Sequence, residues 1–175
     1  MCSNGSVCKV TIDGVDFSIY EPSPFDEKWY SFKFNGPGVW YEVGLCIQTG
    51  WIVWINGPFP PGPWSDRRIA RSALYEMLDR GEKFVSDRGY WGGAWYAETP
   101  TGLWCFDQKM KSDARSRHET VNSRFKRWSI LERRFRHQVH HLHGQVFLAV
   151  ANITQLQIET DEPLFQIEYN DRTSL

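Results

Sequence analysis

No stretch of this chain approaches the ~18 consecutive apolar residues that a membrane-spanning helix requires. Its opening, MCSNGSVCKVTIDG, has neither the basic start nor the apolar run of a secretory leader. Cysteine is sparse. Cys2, Cys8, Cys46 and Cys105 form no Cys-x-x-Cys pair, which speaks against a zinc ribbon or a disulfide scaffold and for an intracellular protein with reduced thiols. Net charge is nearly absent at −1, and taken over the whole chain that argues against a generic nucleic-acid or membrane-surface binder. Internal repeats and low-complexity tracts are missing as well.

What is present fits one soluble domain with one core: 175 residues, 41% hydrophobic and 23% charged. Aromatics are over-supplied at 15%, and all nine tryptophans fall between Trp29 and Trp128. The near-zero charge conceals a strong asymmetry. Residues 109–143 hold ten Lys/Arg (Lys109, Lys111, Arg115, Arg117, Arg124, Lys126, Arg127, Arg133, Arg134 and Arg136) against Asp113, Glu119 and Glu132, a balance of +7 that leaves −8 for the remainder. All five histidines lie in the same window. It reads equally as a face for a polyanion or as a solvated basic helix.

Along the chain, residues 9–19 alternate like a strand broken by Asp13-Gly14, a turn signal. Residues 41–48 and 51–55 form a hairpin about Thr49-Gly50, and the following NGPFPPGPW is too rich in breakers for regular structure. Ser65-Asp66 cap a helix over residues 67–78 that Gly81 ends. A short strand at 83–86 leads to Asp87. Residues 91–108 are a Gly- and Trp-rich irregular insertion. A helical pattern runs from about 112 to 135 on Val121, Phe125, Trp128, Glu132 and Phe135. A last helix spans 143 to about 158, with Pro163 beyond it. Strands first and helices interleaved later imply an α/β fold, a mixed sheet covered by helices.

Three acids stand at chemically interesting places: Asp13 at the end of the first strand, Asp87 at the end of the fourth, and Glu119 in the basic helix. If those strands are neighbours, Asp13 and Asp87 meet at one sheet end. With a third acid they make an oxygen-rich site suited to Mg²⁺ or Mn²⁺, two of which can drive phosphodiester cleavage. Three acids among 21 are by themselves a weak signal. Helical spacing sharpens it, since Arg115, Glu119, Asn122 and Lys126 share one polar stripe away from Val121, Phe125 and Trp128. Of the other features, Cys46 reads as core, and His137, His140, His141 and His143 as a solvated turn rather than a metal site. Trp91, Trp95, Tyr96 and Trp104 read as loop packing rather than as a base-stacking platform. A tryptophan-rich carbohydrate-binding module would instead show exposed planar aromatics and no clustered acids.

The strings TIDGVDFSIYEP, WYEVGLCIQTGWIVWINGPFPPGPWSD, FVSDRGY and ARSRHETVNSRFKRW resemble the catalytic domain of Harbinger-type transposases, within the DDE superfamily of endonucleases. The resemblance covers residues 10–158, between a short lead (1–9) and a tail (159–175). It implies an RNase H-like fold and a metal-dependent nuclease that cuts DNA at transposon ends and joins the freed 3′-hydroxyl to target DNA. Asp13, Asp87 and Glu119 match the three acids, each implied by the resemblance to be a ligand in a two-metal site of Mg²⁺ or Mn²⁺. Arg115, Asn122 and Lys126 match the flanking positions that steer phosphate. Asp16 competes with Asp13 for the first position, and Asp66 matches an acid shared by relatives although a helix cap is its simpler role. Relatives carry a helical DNA-binding region upstream, whereas only about a dozen residues precede Asp13. The chain is therefore expected to be a catalytic core alone or a truncated or domesticated copy that binds DNA or protein without cutting. A nuclear location, a separate DNA-binding partner protein and self-association follow from the resemblance only, and no membrane partner is expected.

Overall fold

The computed structural model describes residues 7–87, 90, 97–98, 105–137 and 140–167. Its centre is β1 (Val7–Ser18), which pairs antiparallel with β3 (Gly36–Cys46) on one side and parallel with β5 (Glu82–Val85) on the other. Beyond β3 lie β4 (Ile52–Phe59) and the two-residue β2 (Tyr30–Ser31), both antiparallel to it. Beyond β5 lies β6 (Ala97–Glu98), parallel to it. The result is a mixed sheet covered by helices, an RNase H-like arrangement.

One face of the sheet carries α3 (Cys105–Lys126) and α5 (His140–Thr160), with the short α4 (Ser129–Glu132) between them. Val15 and Phe17 of β1, and Val39, Tyr41, Val43 and Leu45 of β3, alternate onto this face and bury against Val121, Phe125, Phe147 and Val150. The Phe147 ring lies 4.2 Å from Tyr41 and 5.1 Å from Phe125, centroid to centroid, and burying each such ring contributes roughly 1.5–3 kcal/mol. The opposite face is covered by the helical connection from α1 (Asp66–Ile69) through a π turn (Ala70–Leu74) to α2 (Tyr75–Met77), where Ala70 and Leu74 pack on Ile12 and Phe84.

Several sequence expectations change. Asp13-Gly14 is not a turn: β1 runs straight through it, opposite Val43 and Glu42. Glycine is needed at 14 for another reason, because a Cβ there would collide with the indole of Trp40 lying across the strand. The breaker-rich stretch after Ile55 stays in β4 as far as Phe59, with a register shift opposite Trp40 and Glu42 and a positive φ of 134° at Gly57 absorbing the irregularity. The helix before Gly81 stops at Met77, and Gly81 (φ 84°) serves the turn into β5. The long helix breaks at Trp128, whose backbone is extended, so Phe135 joins a bridge to Ile19 instead of extending the helical stripe. His143 is no solvated turn residue. It is buried, paired with the Tyr41 hydroxyl at 2.7 Å, while His140 stacks on Trp29 at 3.6 Å. Cys46 is half-buried and free, and Cys8 is disulfide-bonded rather than a free thiol. Trp91, Trp95, Tyr96 and Trp104 lie outside the described residues. No helix of the described residues is long and apolar enough to cross a membrane.

Candidate nuclease site

β5 ends at Val85, paired with Thr11, while β1 continues to Ser18 with β3 as its only strand partner among the described residues. Between Thr11 and the contact of Phe135 with Ser18, no described strand pairs with the β5-side edge of β1. Asp13 lies in that notch, and Asp87, as many residues past Val85 as Asp13 is past Thr11, is close enough to repel it. Asp13 is not at a strand end; it lies where the neighbouring strand stops.

The carboxyl of Asp13 is raised above its ordinary value, first by burial and then by the charge of Asp87. The Gly14 amide, Arg115 and Lys33 oppose the rise. Asp66 supplies a further acid. Ser65 occupies the cap position of α1 with no side-chain cap bond, and Asp66, the first helical residue, is not the cap but part of the acid group. Burial, then Asp87, Asp13 and Asp16, push its carboxyl up to about 6. Asp16 is already neutralised, with Lys33 Nζ at 2.7 Å and only 7% of the residue exposed. Behind the group, Glu42 is fully buried and accepts a bond from Trp54 Nε1 at 2.8 Å. Burial pushes it up to about 7, so its protonated form is favoured far more than for an ordinary carboxyl.

From α3, the polar stripe faces this notch. Asn122 Nδ2 reaches toward Asp13 Oδ2 at 3.5 Å, a long contact, and its own Oδ1 is buried without a hydrogen-bond partner. Arg115 and Lys126 both sense the Asp13 charge. Lys126 is lowered by burial and then by repulsion from Lys33. Glu119 shares the stripe but is exposed, with no hydrogen bond or ion pair to any described residue. Among the described residues no three His, Cys, Asp or Glu side chains converge closely enough to cage a metal ion. The group drawn together is Asp13, Asp87 and Asp66, with Asp16 beside it, and Glu119 stands apart.

Lys33 and Glu42 were missed by sequence reasoning, and Lys33 has no local pattern that marks it. Arg117 was miscounted as surface charge. It is 1% exposed, and its guanidinium donates to the carbonyls of Ile47 (2.6 Å) and Phe165 (2.6 and 2.8 Å). Its position one turn before Val121 and three residues after Ala114 places it on the buried stripe, which was a readable signal.

The donor set fits a hard divalent cation: carboxylates held against their own repulsion, with an amide oxygen buried and unpartnered beside them. A family model described as DDE superfamily endonuclease matches residues 12–155. No curated protein and no solved structure matches the chain.

Proposed function

The chain belongs to the DDE superfamily of endonucleases, and from that premise we propose that it is a divalent-metal-dependent nuclease core that cuts DNA phosphodiester bonds and transfers the freed strand. We assign it to the Harbinger-type branch and to the nucleus. Asp13 and Asp87 hold the ions. Glu119 is the third ligand, because it lies on the α3 stripe between Arg115 and Asn122, whose side chains address Asp13. Bound there, Mg²⁺ or Mn²⁺ would supply Lewis-acid activation of the attacking oxygen and stabilisation of the leaving one.

The protein's own contribution is positional and electrostatic. Asn122 orients Asp13 through Nδ2. Lys33 neutralises Asp16, leaving Asp13 as the acid of β1 that has no ion pair among the described residues. Arg115 and Lys126 present cations on the helix stripe where substrate phosphate would lie. Asp66 adds charge to the group, and Glu42 behind it limits that charge whenever it is protonated.

One observation carries this reading: carboxylates from β1, the end of β5 and the start of α1 lie partly buried together, although the charge of Asp87 raises the proton affinity of both Asp13 and Asp66. Calorimetric titration of Mn²⁺ into the full chain tests it, with plasmid nicking as the activity readout. Binding is expected in the wild type, lost in Asp13→Ala and Asp87→Ala and weakened in Glu119→Ala. A folded wild type that binds no Mn²⁺ would overturn the reading in favour of a non-catalytic, transposase-derived binding module.

A further inference from the structure

The segment following α4 is clamped to the far end of the strand that carries Asp13. Phe135 N donates to Ser18 O at 3.0 Å, and Tyr20 N donates to Phe135 O at 3.2 Å. The Phe135 ring is buried, and around it Arg133, Arg134, Arg136 and His137 rim a cleft of about 280 Å³. The Arg134 guanidinium is held 5.5 Å from the Tyr20 ring centre. Among the described residues none of the three arginines forms an ion pair, and all three are exposed. Three uncompensated guanidiniums around a concave floor are a recognition set for phosphate, whose oxygens match their planar donors.

The clamp also fixes a distance. Seven residues separate Asp13 from Tyr20, and at ~3.3 Å per residue the strand spans at most about 23 Å. Successive phosphates on one DNA strand advance ~3.4 Å along the axis, so that length corresponds to about seven nucleotides. We propose that this cleft is a phosphate-backbone subsite that grips duplex DNA about seven base pairs from the scissile bond, a ruler built on β1. The proposal rests on the nuclease reading and adds to it where the duplex is held.

The test uses the full chain without divalent metal and blunt duplexes of increasing length, with binding followed by fluorescence anisotropy across a salt series. Wild type is expected to gain tenfold or more in affinity as the duplex lengthens through about 6 to 10 base pairs. The variant R133A/R134A/R136A should lose that step, and its plot of log affinity against log salt should be shallower by about 2 to 3. All three side chains are exposed, so its melting temperature should match wild type, and the corresponding triple lysine variant should recover the salt slope. An alanine variant that keeps both the step and the slope, while wild type binds, overturns the ruler and leaves the nuclease reading standing. A wild type that binds no duplex of any length, with or without Mn²⁺, overturns both.

Discussion

Thr11 and Asp13 sit two residues apart on the same face of β1, yet their surroundings are opposite. The Thr11 hydroxyl donates to the Leu45 carbonyl at 3.3 Å, which leaves His118 Nε2–H as the donor to it at 2.8 Å. Nearby, Arg117 satisfies carbonyls from two further segments. Asp13 instead meets a like charge, Asp87, and an amide at the limit of hydrogen-bond range. Buried polarity around Arg117 and His118 is largely matched, His118 Nδ1 being the exception, and serves the fold. One helical turn later it is mismatched, a mismatch that the proposed metal ion would relieve. The proton affinities carry the same contrast: burial lowers His118 and His143 to about 4, so they are neutral, whereas burial raises Asp13 and Asp66 against their ionised forms.

The most severe way to break the comparison is to change one member of each region. Asp87→Asn should cut nicking by roughly 10³-fold or more, while the fold persists because a repelling charge has been removed. Nicking at the wild-type rate would take Asp87 out of the site. Arg117→Ala should do the reverse, costing about 3 kcal/mol in chemical denaturation because the buried carbonyls of Ile47 and Phe165 lose a charged donor. A loss under ~1 kcal/mol would show that the buried guanidinium is not structural. Gly14→Ala joins the two regions. Its Cβ must displace the Trp40 ring at an expected cost of about 1–3 kcal/mol, together with a loss of Mn²⁺ affinity from the shifted Asp13.

Proton linkage sharpens the contrast further. The Asp66 carboxyl moves from 3.8 to about 6 on folding. The folded state therefore loses stability as pH rises from about 4 to 6, and the loss persists above that. Asp66→Asn should be more stable than wild type by roughly 1–2 kcal/mol at pH 7, discounted for partial exposure, with the difference vanishing below pH 4. In that variant His118 and His143, whose folded values lie below 6.5, contribute a limb that is full above pH 6.5 and falls on acidification toward 4, opposed over much of that range by Glu42, which is raised to about 7. Thermal melts from pH 3 to 8 check both limbs. The smallest effect is expected at the rim: Lys126→Ala should weaken DNA binding modestly and flatten the salt slope by ~0.9.

Much of this was legible in the chain. The hairpin at Thr49-Gly50, the strand before Asp87 and the stripe of Arg115, Asn122 and Lys126 follow from period, turn chemistry and helical spacing, and adjacent first and fourth strands bring Asp13 to Asp87. What was not legible depends on partners distant in sequence. Asp-Gly reads as a turn unless Trp40 is known to cross Gly14. Ser65-Asp66 reads as a cap unless Asp13 and Asp87 are known to lie beside it. The helix broken at Trp128 keeps its period on either side, and only the bridge of Phe135 to Ile19 shows why it must stop.

The position of β1 also sets the order in which the site can be built during synthesis. β1 emerges first, and the β3–β4 hairpin gives it one partner early. Its other edge waits for β5, more than 70 residues later, and Asn122 arrives later still. The clamp at Phe135 closes later again, on residues made near the start. The acids are therefore strangers for most of translation. A chain cut short before residue 85 lacks both Asp87 and Asn122, so the acid group and its amide neighbour come together only once most of the domain has been made.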